Sequence, residues 1–326
     1  MSTTEIRYNM KIATLTLNPA LDKSTAIDRL KPEKKLRCDE PRFDPGGGGI
    51  NVSRAIKILG GESLAIYAAG GLEGEKLKEL LTKEGITQEI IAMEKPTREN
   101  LVVFDRSNQN QYRFGMPGSP LNEKEIQKCR DTINNLPVEV EYLVLSGSLP
   151  PGVPDDLYAK LAEIARDKKI KCIVDTSGKA LIKASEAGVY LMKPNLGELS
   201  ELAGKEEISG IEQEEIAKKL IKEGKAEILI VSLGPRGAML VTKDAIEYIV
   251  PPTVKQSSTV GAGDSMLGSL ILSLSRGDSL QDALKWGVAA GTAATITPGT
   301  ELCRKKDVEN IFKWLTEKQT GHPSKL

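Results

Sequence analysis

Short apolar runs alternate with amphipathic stretches along most of the chain. ATLTL (13–17), SLAIYAA (63–69), YLVLSG (142–147), KCIVD (171–175) and ILIVSL (228–233) are aliphatic, partly β-branched, and bounded by Gly, Pro or polar residues. That pattern predicts strands buried on both faces. Helical periodicity fills the intervals. In NVSRAIKILGG (51–61), Val52, Ala55, Ile56 and Leu59 fall on one face and Gly60 ends the run. DDLYAKLAEIARDKK (155–169) and EEIAKKLIKEG (214–224) repeat the pattern. The alternation predicts an α/β fold, a mainly parallel central sheet between helices.

Two segments depart from it. Residues 23–43 and 97–115 lack helical periodicity, and the second reads as a hairpin: LVVFD, a polar turn SNQN, then QYRFG. A few such strands are too small for a domain of their own. They predict a small sheet over one edge of the main domain, a lid or a dimer contact. From residue 260 onward the chain reads as helical. Gly287, Ala290, Gly291 and Ala294 lie on consecutive turns there, a pattern that permits close helix packing.

Composition narrows the chemistry. The 326 residues are 40% hydrophobic and 28% charged, as in a globular protein, and at 4% aromatic the core has to be aliphatic. Lys plus Arg and Asp plus Glu both number 45, so bulk charge gives no reason to expect a nucleic-acid or membrane partner. No two of Cys38, Cys129, Cys172 and Cys303 have metal or redox spacing. The N-terminal stretch has no long apolar core and no apolar run is long enough for a bilayer, so a cytoplasmic protein is expected. The single histidine, His322, stands four residues from the C-terminal residue, where a mobile tail is expected. Acid–base chemistry is left to carboxylates, lysines or tyrosines.

Five places put polar residues where a parallel sheet usually keeps its site, at the carboxyl ends of strands. In NPALD (18–22), Asp22 is expected in a loop after the first strand, as a turn carboxylate or an acceptor for two polyol hydroxyls. In DPGGGGIN (44–51), four glycines precede a helix with Asn51 at its mouth; the run implies close backbone approach, and it is neither a Walker A loop nor GxGxxG. In TREN (97–100), Arg98 is a surface charge or a phosphate fork. In KPNLGEL (193–199), Asn195 and Glu198 fit a capping box, and equally a pair holding water around Mg²⁺. In TVGAGDSMLGS (259–269), glycines open a helix whose dipole favours an anion, with Asp264 in the first turn. That field would keep the Asp264 pKa from rising. Asp264 is a cap or a base, and the local sequence leaves both open.

Together these stretches resemble the PfkB, ribokinase-like family of carbohydrate kinases. GGGGINVSRAIKILGG is similar to its glycine-rich N-terminal signature and TVGAGDSMLGSL to its C-terminal one, with KPNLGE and VSLGPRG between them in the family's order. The resemblance runs over nearly the whole chain and implies one kinase domain over about 10–318, with lid segments about 23–43 and 97–115 inserted and a tail over 319–326. Within the family, TRENL, QYRFGMPG and SGSLPPGV look most like members that phosphorylate fructose 6-phosphate with ATP, ahead of those acting on tagatose 6-phosphate or fructose 1-phosphate. A non-catalytic sugar or nucleotide sensor would be expected to lack the GAGD aspartate or its glycines, and both are present.

The resemblance also implies roles. Asp264 would be the catalytic base, and Gly261, Ala262 and Gly263 the anion hole. Asp22, Gly47, Gly48 and Asn51 would hold sugar hydroxyls. Arg98 and Ser148 would bind the substrate's phosphate, with Lys35 reaching it from a neighbouring subunit of a homodimer built through the lid. Lys193, Asn195 and Glu198 would serve the ATP phosphates and Mg²⁺, Glu198 through water. Ser232, Gly234, Gly237 and Thr259 would lie along the nucleotide. Glu301, in GTELC, would face a K⁺ site.

Overall fold

The computed structural model describes residues 10–320, with side chains described to residue 317. The chain runs β1 (Ile12–Thr16), β2 (Ala20–Ile27), β3 (Arg42–Gly46), α1 (Gly48–Ile58), β4 (Leu64–Ala69), α2 (Gly71–Lys83) and β5 (Thr87–Ala92). It continues with β6 (Arg98–Asp105), β7 (Asn110–Phe114), α3 (Glu123–Asn134), β8 (Tyr142–Ser146), α4 (Leu157–Asp167), β9 (Lys171–Asp175), α5 (Gly178–Ala187) and β10 (Val189–Met192). The last part comprises α6 (Leu196–Leu202), α7 (Glu212–Lys222), β11 (Ala226–Ser232), β12 (Ala238–Val241), β13 (Ile246–Ile249), α8 (Ala262–Ser275), α9 (Leu280–Ile296) and α10 (Lys305–Thr320).

Nine strands form one sheet in the order β13-β12-β11-β10-β9-β8-β1-β4-β5, parallel from β11 to β5, with β12 and β13 added antiparallel. Alternation within each strand sends side chains to the two faces of the sheet, with two large cores and a smaller one around Ala65, Tyr67, Leu77 and Leu81. Ala13, Leu15, Leu143, Leu145, Cys172 and Val174 face one large core, under α3 to α7. Ile12, Tyr142, Val144 and Ile173 face the other large core, under α1, α8, α9 and α10. The expected α/β architecture is present, and so is the small sheet, four strands in the order β3-β2-β6-β7. Its centre is a parallel pairing of β2 with β6, flanked antiparallel by β3 and β7.

Two elements begin earlier than the sequence predicts. Asp22 does not sit in a loop; β2 starts at Ala20, so Asp22 is a strand residue paired with Asp44 and Asn100. Pairing on both sides extends the strand through residues whose own pattern is irregular. Helix α1 starts at Gly48, so Asn51 lies in its first turn rather than at its mouth. At the far end, α10 reaches Thr320, while His322 and the rest of the expected tail, 321–326, lie outside the described residues.

Because β11, β10, β9, β8 and β1 are adjacent and parallel, their carboxyl ends share one rim. Ser232, Lys193, Asp175, Ser148 and Asn18 follow in that spatial order, each at or just past a strand end. Helix α8 brings its N-terminus to the same rim because α9 and α1 hold it closely. Gly287 and Gly291 sit where a Cβ would lie 3.1 Å from Met266 O and 3.2 Å from Ala262 O, the close packing expected of the small-residue turns. On the other side, a Cβ on Gly268 would stand 2.8 Å from Val52 O. Gly268→Val is therefore expected to destabilise the fold by about 1–3 kcal/mol through overpacking, read as a lower midpoint in urea unfolding with an unchanged slope.

Candidate active site

The mouth of α8 is built around a left-handed residue. Gly261 has φ 70°, and a Cβ there would overlap the Leu302 side chain, so only glycine makes this entry without strain. First-turn amides of a helix have no partner inside it. Here the Ala262 N–H points back to Thr259 O at 3.4 Å, and Gly263 is the small residue beside the Lys193 ammonium, whose Nζ lies 3.3 Å from where a Cβ would stand.

Asp264 is partly exposed in this mouth and receives a hydrogen bond from Asn51, Nδ2 to Oδ2 at 2.9 Å. Lys193 is buried and ion-paired with Asp175 at 3.0 Å. Burial works against the Lys193 charge. Asp175, then Asp264 and Glu198, outweigh it and hold the ammonium pKa above the ordinary lysine value. Asp264 moves the opposite way from expectation. Its pKa is pushed up to about 6, by burial first and then by the Asp175 charge, against the Asn51 hydrogen bond and Lys193. A helix terminus contributes only a fraction of a charge, and desolvation beside a second carboxylate exceeds it. Asp175 did not figure among the site candidates in sequence; its one signal there was its place at the end of the strand KCIVD.

The glycine run approaches other protein atoms rather than open space. Gly47, at φ 120°, carries the chain from β3 into α1 with no room for a Cβ beside Thr16 and Pro19. A Cβ on Gly48 would overlap the Ser146 hydroxyl and stand 2.9 Å from Gly147 N. The run thus seats the first turn of α1 directly on the carboxyl ends of β1 and β8.

In the small sheet, Asp22 accepts from Asn100 Nδ2 at 2.8 Å. Its pKa is raised, chiefly by burial. Arg98 donates to three backbone carbonyls: Asn18 O at 2.9 Å, Met116 O at 3.1 Å and Pro19 O at 3.3 Å. Part of its fork therefore ties the small sheet to the rim. Ser148 meets the same loop, since Asn18 Nδ2 donates to its hydroxyl at 3.1 Å. Arg98 and Ser148 thus converge on Asn18, a residue whose role the sequence did not signal. Lys35 is exposed on the loop between β2 and β3, and no hydrogen bond or ion pair joins it to the other candidates.

Asn195 and Glu198 do form the capping box: Asn195 Oδ1 accepts from Glu198 N at 3.0 Å and Glu198 Oε2 from Asn195 N at 2.8 Å. Burial raises the Glu198 pKa, with Asp175 adding to it. Asp175, Glu198 and Asp264 against Lys193 make the local charge negative, which suits a cation. Among the described residues no three acidic, Cys or His side chains form a metal cage. The negative charge fits Mg²⁺, which takes most of its ligands from water and phosphates. Ser232, Gly234, Gly237 and Thr259 line a cleft of 310 Å³, together with the apolar Val254, Met266 and Val288 and with Ala262 and Gly263 of the α8 mouth. Both Glu301 oxygens accept from Arg304, at 2.8 and 3.0 Å, so its carboxylate is already paired.

Comparison with known proteins agrees with this geometry. The family model for pfkB family carbohydrate kinases matches residues 8–307. The chain is 44% identical over 311 residues to the ATP-dependent 6-phosphofructokinase isozyme 2 of Escherichia coli, covering 94% of this chain and 99% of that one. Two solved structures of the Escherichia coli phosphofructokinase-2 superpose on it. The complex with potassium gives a TM-score of 0.90 at 44% identity, and the complex with fructose-6-phosphate 0.89 at 43%, each covering 94% of this chain and 99% of the other.

The raised Asp264 pKa has a sign for stability. The native state holds this proton more tightly than the unfolded chain, so stability falls as pH rises from 3.8 to about 6 and the cost is complete above that. Asp264→Asn removes it. The variant is expected to be more stable than the parent at pH 7 by about 1–3 kcal/mol, with the difference vanishing below about pH 4, as measured by urea unfolding across pH.

Proposed function

The chain belongs to the pfkB family of carbohydrate kinases, and we propose that it transfers the γ-phosphoryl group of ATP to the free primary hydroxyl of fructose 6-phosphate, yielding fructose 1,6-bisphosphate and ADP. The observation that carries the reading is the Asn51–Asp264 pair at the mouth of α8, next to Ala262 and Gly263 of the 310 Å³ cleft and under the charge of the Lys193 ammonium.

On this reading the rim divides the work. ATP lies in the cleft along Ser232, Gly234, Gly237 and Thr259, its phosphates directed at the mouth of α8. The sugar lies between the first turn of α1 and the small sheet, held by Asp22, Gly47, Gly48 and Asn51, with its phosphate towards Ser148 and the N–H groups that Arg98 has left. Asp264 accepts the hydroxyl proton as the oxygen bonds to the γ-phosphorus and the bond to ADP breaks. A carboxylate with a pKa near 6 is a better base than an ordinary aspartate and is still ionised at pH 7. The α8 amides and Lys193 offset charge on the transferring group without rearranging. Asn195 and Glu198 would hold Mg²⁺ through water, and the ion would neutralise phosphate charge.

The small sheet acts as a lid that keeps water from the reacting phosphoryl group. It exposes Leu30, Phe104, Phe114 and Met116, apolar surface that supports a homodimer through the lid, with Lys35 reaching the partner's site. The potassium complex of the Escherichia coli relative supports a K⁺ site in this chain as well. Among the described residues no helix is long and apolar enough to cross a membrane, and the four cysteines are free thiols. Both agree with a cytoplasmic kinase.

Two measurements test the reading. In an ADP-release assay, kcat/KM is expected to be highest for fructose 6-phosphate; a higher value for tagatose 6-phosphate or fructose 1-phosphate reassigns the substrate. Asp264→Asn is expected to lower kcat by about 10²–10⁴-fold while ATP still binds in calorimetry. A variant that kept most of its turnover would reduce Asp264 to a structural residue of the helix mouth.

A further inference from the structure

Asn51 lies between two groups of opposite demand. An ionised carboxylate only accepts hydrogen bonds and a guanidinium only donates them. Asn51 Nδ2 donates to Asp264 at 2.9 Å, and Asn51 Oδ1 accepts from Arg54 Nη1 at 3.4 Å, one turn further along α1. An amide in that position has one orientation that satisfies both neighbours. The flipped amide would set NH₂ against the guanidinium and its carbonyl against the carboxylate.

Arg54 is itself fixed. It is buried, at 8% exposure, which is unusual for an arginine without an anchor. Its Nε and Nη2 make a two-pronged ion pair with Glu84, at 2.7 and 2.8 Å, and Nη1 also donates to Pro45 O at 3.0 Å. Glu84 caps the C-terminus of α2, and Pro45 lies in β3, the lid strand that leads into the glycine run. The nitrogen that orients Asn51 is thus the one that grips the lid strand.

We propose that Arg54, held by Glu84, is a positioning residue for phosphoryl transfer: it locks the Asn51 amide with its N–H group towards Asp264, and so keeps the base ionised and aimed. The proposal rests on the reading of Asp264 as the base. Other charged groups face Asp264 as well, namely Asp175 from β9 and Lys193 from the end of β10, with Glu198 of α6 beside Lys193. They act on it directly. Arg54 and Glu84 act through an amide, which gives their effect a distinct signature.

Without Arg54 the amide can turn over whenever Asp264 is protonated, so the protonated base is favoured. For Arg54→Met, the acid limb of the kcat/KM profile for fructose 6-phosphate is expected to move to higher pH. Its kcat is expected to fall roughly 10- to 100-fold, with KM for ATP unchanged. Glu84→Gln should change both in the same direction by less. The deciding experiment is a double-mutant cycle with Asn51→Ala. If Arg54 works through Asn51, Arg54→Met has no further effect on kcat or on the acid limb once Asn51 is alanine. Effects that multiply, or an Arg54→Met enzyme with an unmoved acid limb, would overturn the proposal. If Arg54→Met does not fold, Glu84→Gln combined with Asn51→Ala gives the same cycle. Turnover surviving Asp264→Asn would sink the base reading itself; loss of turnover there with multiplying effects in the cycle sinks the Arg54 assignment alone.

Discussion

Two carboxylates face one buried ammonium at the carboxyl rim of the parallel sheet. Asp175 holds Lys193 in an ion pair, and Asp264 faces both. Lys193 cannot satisfy the two equally, and burial denies Asp264 full solvation. The result is an aspartate with its pKa pushed up to about 6, at the spot where a helix offers its first-turn amides. Taking either partner from the buried pair would leave a charge that the interior tolerates poorly. Charge that is expensive for folding is placed where the proposed reaction uses it.

The elements that deliver these groups come from four places in the chain: the end of β9, the segment after β10, the first turn of α1 and the first turn of α8. Parallel strands make this possible, because every strand end arrives at one rim. Steric contact sets the spacing. Gly48 lets α1 rest on Ser146 and Gly147, Gly268 lets α8 close on α1, and Gly291 lets α9 press against the start of α8. Side-chain hydrogen bonds join the small sheet to the same rim. Arg98 ties it to the loop after β1, and Arg54 links β3 to Asn51, the partner of Asp264.

Much of the site was legible in sequence because its residue types are rare in their contexts. A glycine-rich turn followed by Asp264, a glycine run before a helix, and N-x-x-E after a buried strand each limit what the backbone can do. Asp22 was legible as a carboxylate but misplaced, because its strand owes its existence to β3 and β6 on either side. Asn18, Asp175, Arg54 and Glu84 were not singled out. Each looks like an ordinary polar residue at a strand end or on a helix, and its meaning lies in contacts that the fold supplies.

By itself, the sequence determined the alternation of strands and helices, the parallel sheet, the extra β segments and the motif residues at the strand ends. All of these follow from local periodicity and residue type. The tertiary structure alone decided the charge balance. The pKa of Asp264 depends on burial, on Asp175 and Lys193 brought from remote strands, and on the hydrogen bond from Asn51. Electrostatic energies in a low-dielectric site depend on distances between groups remote in sequence, and folding alone sets those distances.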